Sequence, residues 1–148
     1  SQAAGLSLKV ENIPKLKAGL EQLITSQLTD FDLKQKLVLD AQVNLADLNQ
    51  KFITDMSYLE PFGNQNYAPT FLIQGVTLIQ KPVLLKDLHV KCMIFADGIV
   101  KPVIFFNRPE LFEILTHQQD TFSLAAQVVE KHWNGRVNVE LNGVDIAL

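Results

Sequence analysis

Cysteine is nearly absent: Cys92 is the only one in 148 residues. A disulfide within the chain is therefore excluded, and a thiolate metal site lacks ligands. Its setting, LHVKCMIFA, reads as a strand, so a buried, inert thiol is expected. Histidine is scarce too, with His89, His117 and His132 far apart and no Asp-His-His run. The one closely spaced acidic pair, Asp30 and Asp32, falls in a polar connector, where a solvated turn accounts for it. No run of about eighteen apolar residues occurs, and no basic stretch leads into an apolar core near the start. Neither a helical membrane span nor a secretory signal is expected, and the cytoplasm is the expected compartment. A basic excess is also missing: 13 Lys and Arg stand against 16 Asp and Glu, a net charge of −3. If the chain binds nucleic acid, its positive surface must be local, or affinity must come from stacking and from elements outside this chain.

What is present suggests one main domain and a fragment of another. The opening, AAGLSLKVENIPKLKAGLEQLITSQL, predicts a short strand and then a helix with Ile13, Leu16, Leu20, Leu23, Ile24 and Leu28 on one face. Asn12 is its expected N-cap, and Pro14 suits the first turn, where a missing N–H is harmless. That face needs a partner. After the connector TDFDLKQK, the alternation in LVLDAQVN (37–44) suits a half-buried strand. A second helix is expected from Asn44, with Asp47 in the capping-box position and Leu45, Leu48, Phe52, Met56 and Leu59 along one stripe. Pro61 and Gly63 end it, and the turn-forming loop EPFGNQNYAPT follows.

From residue 70 the pattern becomes regular. TFLIQGVTLIQ is a strand with Gly75 in its middle, a sign of a bulge or bend. LHVKCMIFA and IVKPVIFF are two more, joined by Asp97-Gly98, a strong hairpin turn. A short helix, NRPELFEILTHQ, has Pro109 in its expected first turn. TFSLAAQVVEKHW and RVNVELNGVDI close the chain as a hairpin around Asn134-Gly135. Three strands, a helix and two strands is the order of an OB-fold, a five-stranded Greek-key barrel that commonly binds oligonucleotides. The fold class expected is therefore α+β, mostly β: a five-stranded barrel with a helix between strands three and four, preceded by a strand-helix remnant.

A two-residue turn at Asn134-Gly135 sets Trp133 opposite Arg136, Lys131 opposite Asn138 and Val129 opposite Glu140, all on one side. The other side pairs His132, Glu130 and Val128 with Val137, Val139 and Leu141 and is expected to be mostly core. The parity of apolar residues breaks at Asn142-Gly143, predicting a bulge with Gly143 supplying an unusual backbone angle. An indole beside cations suits single-stranded nucleic acid, since bases stack on the ring at ~1–3 kcal/mol each while Lys and Arg meet phosphates. A Trp-Arg pair also serves as a cation–π contact worth about 0.5–1 kcal/mol, stabilising the hairpin or docking another domain. Both readings stand at this point.

The runs LEPFGNQNYAPTF (59–71), WNGRVNVELNGVDI and AAGLSL together resemble the C-terminal part of the bacterial RecJ family, single-strand-specific exonucleases of the DHH phosphoesterase superfamily. The resemblance spans almost the whole chain. It departs at Gln65, where the family usually has a second glycine, and at Tyr67, where proline is common. Pro61, Gly63 and Pro69 read as chain-shaping residues, and Phe62 and Phe71 as anchors packing the loop on the barrel. The resemblance implies that residues 1–33 are the tail of a glycine-rich DHH-associated domain and 34–148 an OB-fold domain with a strand and helix extension. It also implies a cut fragment, because the family's Gly-Gly-His would immediately precede Ser1 and Gln2, and it places the family's Asp-His-His and other metal-binding motifs upstream. The parent would be a 5′→3′ single-stranded-DNA exonuclease of recombination and repair using Mg²⁺ or Mn²⁺. This segment would hold no cofactor and no catalytic residue.

For DNA contact the expected residues are Trp133 for stacking, Lys131 and Arg136 for phosphates and Asn138 as a polar neighbour. His89 and Lys91, facing away from Val90 and Cys92, form a second set, with plain solvation as the alternative. The expected partners are single-stranded DNA, the upstream catalytic domains and a single-strand-binding protein. A docking module with little DNA affinity of its own is the competing function, and an independent enzyme the third.

Overall fold

The structure, a computed structural model, describes residues 5–28, 36–133 and 135–148, with the backbone alone at Trp133 and Arg136. It divides into two compact units, residues 1–37 and 38–148. Among the described residues no helix is long and apolar enough to cross a membrane.

In the first unit the described residues do not form the expected strand: residues 5–9 take no regular structure, and a 3₁₀ turn, Val10–Asn12, leads directly into helix α1, Ile13–Gln27. Pro14 sits in the first turn as expected, but Asn12 makes no side-chain cap bond. Its own backbone is already helical (φ −93°, ψ −6°), whereas a capping side chain reaches back from an extended residue. Ile13, Leu20, Leu23 and Ile24 are about half exposed, so the described residues of the unit leave the apolar face of α1 only partly covered.

The second unit holds a seven-stranded sheet: β1 Ala41–Gln42, β2 Phe71–Leu78, β3 Val83–Leu85, β4 His89–Ala96, β5 Ile99–Phe105, β6 Phe122–Trp133 and β7 Arg136–Ala147. Five of these close on themselves in the order β2-β4-β5-β7-β6-β2. This is the OB-fold arrangement, with β5 and β7 parallel and the other barrel pairs antiparallel. The two extra strands are short. β1 pairs parallel with the start of β2, which reduces the expected strand over 37–44 to two residues. β3 pairs with β4 and was not anticipated.

Closure depends on β2 serving two neighbours. Its first part registers with β6, from Phe71↔Ala126 to Val76↔Phe122, and its end with β4 at Thr77↔Phe95 and Leu78↔Ile94. Gly75, at φ +67°, lies in the register shift between Ile73 and Val76, and the bulge turns the strand from one sheet into the other. The β4–β5 hairpin turns at Asp97 (φ 53°) and Gly98 (φ 76°), the pair of positive angles that a two-residue turn between twisted strands requires.

The expected helix from Asn44 is broken. Leu45–Asp47 forms a 3₁₀ turn, and a separate helix, α2, spans Gln50–Met56, followed by a 3₁₀ turn at Ser57–Leu59. Its cap is Asn49, whose side chain accepts from Phe52 N at 3.1 Å. Asn44 bonds the Asp47 carboxylate instead. The break lets both Leu45 and Leu48, each 0 % exposed, enter the barrel core, and the Asp97 carboxylate accepts Leu45 N at 3.0 Å. Helix α3, Leu111–His117, inserts Leu111 and Leu115. Pro109 precedes it by two residues, in the turn that donates Phe112 N to Pro109 O, rather than standing in its first turn.

The 59–71 loop is held by its own backbone. Gly63 and Asn66 exchange N–H···O bonds, and the Asn66 amide donates to Leu59 O and Pro61 O, both at 2.9 Å. Gln65 takes φ 66°, the left-handed conformation that a glycine there would adopt freely. Phe71 is buried and meets Phe52 edge-on at 5.3 Å, while Phe62 is half-buried.

Candidate nucleic-acid interface

The β6–β7 hairpin carries the principal candidate residues, and its register is the expected one. Trp133↔Arg136, Lys131↔Asn138 and Val129↔Glu140 are partners, with Gly135 at φ +73° in the turn. Asn134 and the side chains of Trp133 and Arg136 lie outside the described residues. The bulge occurs as expected near Gly143: Ala126 pairs with Gly143 and Ala125 with Asp145, leaving Val144 over. Gly143, however, has no positive φ. Its reason is space, since a Cβ there would lie 2.3 Å from Phe105 Cε1.

The bulge is clamped from outside the hairpin. Arg108 donates to Val144 O at 2.6 Å and to Asp145 at 3.1 Å, and its guanidinium also binds Glu110. That contact with Arg108 holds the Glu110 carboxyl below the usual carboxylate range, and Glu110 and Asp145 raise Arg108 further.

The face expected to be core is core only at the barrel end of the hairpin. Leu141 is buried, but Val137 is 44 % exposed and His132 lies in solvent against Glu130, which also accepts from the Gln50 amide at 2.7 Å. The physical reason is length. Each strand of the hairpin has 12 residues, yet β7 registers with β5 only at Leu141, Asn142 and Gly143. The tip projects past the sheet that would cover it.

On the outer face, Asn138 is exposed and Lys131 is ion-paired to Glu140 at 3.0 Å. The Lys131 side chain is about half exposed, while that of Glu140 is mostly covered. The second set lies elsewhere. Lys91 is exposed between Val83 and Ile104, and His89 is tied to the corner after β5: its Nδ1 accepts Asn107 N at 3.0 Å, and its ring meets Phe106 edge-on at 5.2 Å. Because β5 and β7 run parallel, with Ile104 level with Asn142, Lys91 and His89 sit toward the end of the barrel away from the hairpin tip. The structure does not bring the two sets together.

Two residues nearer the tip escaped the sequence reading. Phe95, 41 % exposed on the outer face of β4, pairs with Val100 near the start of β5. The alternation that turned His89 and Lys91 outward also turns Phe95 outward. Lys101 lies half-buried where β5 and β7 part, beside a groove of about 430 Å³ lined by Gln50, Val100, Lys101, Pro102 and residues 137–140. Burial lowers its pKa. Elsewhere burial pushes the Cys92 thiol up to about 12. Among the described residues no group of three His, Cys, Asp or Glu side chains is placed to hold a metal ion.

This geometry can be set against known proteins. The chain is 27% identical over 147 residues to the single-stranded-DNA-specific exonuclease RecJ of Bacillus subtilis (strain 168), covering 99% of this chain and 19% of that protein. RecJ from Thermus thermophilus in complex with Mn²⁺ superposes with a TM-score of 0.74 at 20% identity, over 97% of this chain and 20% of that one. The same protein in complex with Mg²⁺ gives a TM-score of 0.69 at 20% identity, over 95% and 21%. These structures share the fold, and the chain spans about a fifth of the length of its relatives. The profile of the RecJ OB domain matches residues 39–145, most of the chain, and the chain therefore belongs to the RecJ OB domain family.

Proposed function

We propose that this chain is the single-stranded-DNA-binding accessory segment of a longer 5′→3′ single-strand-specific DNA exonuclease that works in recombination and repair. Residues 1–33 belong to the tail of a DHH-associated domain and 34–148 to the OB-fold domain. The divalent metals, Mg²⁺ or Mn²⁺, are bound by the catalytic domains upstream. The OB-fold segment grips the strand and guides it toward them, with Trp133 stacking on a base, Arg136 and Lys131 meeting phosphates and Asn138 beside them. His89 and Lys91 extend the outer face at a distance from this cluster.

The observation that carries the reading is the register of the last hairpin, which pairs Trp133 with Arg136 at a tip projecting from an OB barrel. Titration of the 148-residue chain with labelled oligo-dT tests it. Binding should weaken with salt and drop on Trp133→Ala or Arg136→Ala. Loss of both Lys131 and Arg136 should flatten the salt dependence by about 0.7 per phosphate contact. No binding at low salt refutes the reading.

A docking module is the second reading. The exposed apolar side chains of Phe95, Val100 and Val83 on the outer barrel face favour it, with the catalytic domains or a single-strand-binding protein as the partner. Trp133 fluorescence shielded only in the full-length enzyme, together with absent oligo-dT binding, would support it.

A further inference from the structure

Strand β5 carries a lysine at a position where its register calls for a core residue. Across the β4–β5 pair, Cys92 faces Val103 and Ile94 faces Lys101. Ile94, Cys92 and Val103 are all buried, so Lys101 stands on the inner side of the barrel wall. It escapes full burial because β5 and β7 register only from Val103↔Leu141 onward. Before that point Val100–Pro102 and residues 137–140 form the two sides of the groove, and Gln50 lines it with them.

Among the described residues no carboxylate lies within ion-pair distance of the Lys101 ammonium. Glu140, which lines the same groove, is occupied by Lys131, and Glu130 by His132 and Gln50. A cation left half-buried without a partner among the described residues weakens the fold, as its lowered pKa reflects, whereas a methionine would fill the same space without that cost. Uncompensated charge in a cleft is a mark of a ligand site. The groove opens beside residues 137–140, the last of them about 13–14 Å along β7 from Arg136.

We propose that the groove between β5 and β7 is an anion subsite that receives a phosphodiester group of single-stranded DNA, with Lys101 as its charge. The assignment rests on the DNA-binding reading above and adds Lys101, which stands on the inner side of the wall, to a groove that Asn138 also lines.

The test uses the 148-residue chain with Lys101→Met and Lys101→Arg. Lys101→Met should melt higher, because the unpaired charge is gone. It should also lower the slope of log affinity for oligo-dT against log salt by about 0.7, which amounts to roughly eightfold weaker binding at 50 mM salt when referred to 1 M. Lys101→Arg should keep the slope. A Lys101→Met chain with an unchanged slope, in a protein still sensitive to Trp133→Ala, overturns the subsite and leaves the DNA-binding reading standing. A wild-type chain that binds no oligo-dT overturns both. Inorganic phosphate that raises the melting temperature of wild type but not of Lys101→Met, with no change in oligo-dT binding, assigns the groove to a free anion and overturns the nucleic-acid assignment. A lower melting temperature for Lys101→Met refutes the premise of uncompensated charge.

Discussion

A single methyl group added at Gly143 would place its carbon 2.3 Å from Cε1, 2.4 Å from Cδ1 and 2.7 Å from Cζ of Phe105. Carbon atoms rest at about 3.5–4.0 Å, so the ring or the strand must move by roughly 1 Å or more. Neither can retreat alone. Phe105 is fully buried, and it is the registered partner of Gly143 in the parallel β5–β7 pair. Overpacking typically costs about 1–3 kcal/mol, and three crowded ring atoms put Gly143→Ala near the upper end. At roughly 4 °C per kcal/mol for a domain of this size, the melting temperature should fall by on the order of 10 °C. Thermal and urea unfolding would measure it. Two controls separate space from backbone conformation. Asn tolerates positive φ better than Ala, so a conformational role would make Gly143→Asn the milder change, whereas a steric role makes it the harsher one. Phe105→Leu removes the ring edge, so combining it with Gly143→Ala should cost less than the sum of the two, with a coupling of about 1–2 kcal/mol. Additive costs, or a milder Gly143→Asn, would refute the steric account.

Arg108→Met should destabilise by about 1–2 kcal/mol in urea unfolding. It loses charged bonds to Val144 O and Asp145, and partial exposure reduces their worth. The same variant should flatten the acid limb of the stability curve. The lowered pKa of Glu110 means that its contribution is present above the ordinary carboxylate range and is lost as pH falls through the lowered value; an unaltered acid limb counts against this. Cys92 should react with a maleimide at pH 8 only as fast as the barrel opens, since burial holds its pKa at about 12. Because the raised pKa favours the protonated thiol in the folded state, its contribution is full below the ordinary thiol range and declines as pH climbs toward that value; free-thiol reactivity in native buffer would contradict the burial. Gln65→Gly should stabilise by about 0.5 kcal/mol. Relief of a left-handed backbone outweighs the looser unfolded chain, and a lower melting temperature would count against that balance.

The two hairpins explain why so much of the barrel was legible. Asp97-Gly98 and Asn134-Gly135 each fix a turn of two residues, and a two-residue turn fixes the cross-strand pairs behind it as far as the first bulge, so two dipeptides define four of the five barrel strands. Legibility ended where tertiary burial chose between local solutions. Leu45, Leu48, Phe52 and Met56 have the same spacing in one helix as in a 3₁₀ turn followed by α2, and both Asn44 and Asn49 are good caps. Burial of Leu45 and Leu48 under the barrel decides for Asn49. β3 spans only Val83–Leu85 and is bounded by Pro82 and Lys86, too brief for alternation to register. Lys101 was within reach. The turn at Asp97-Gly98 already places it opposite Ile94, and the alternation of HVKCMIFA puts Ile94 inside.

The parallel contact of β5 with β7 separates the part of the barrel that sets stability from the part proposed to bind. At Val103–Phe105 the two strands are locked by the Phe105–Gly143 fit, and the bulge beyond is held by Arg108 on Val144 and Asp145. On the other side of that lock they diverge, because no registered pair joins Val100–Pro102 to the first half of β7. The divergence frees the hairpin tip from the sheet and admits Lys101 to solvent through the groove. Substitutions at the lock should therefore change unfolding first and binding only through it. Substitutions at Lys101, Asn138 or Arg136 lie beyond the lock and should change binding with the fold intact. A chain in which Arg108→Met weakened oligo-dT binding more than Lys101→Met did, at a temperature where both are fully folded, would show that the lock sets the groove's shape as well as the barrel's stability.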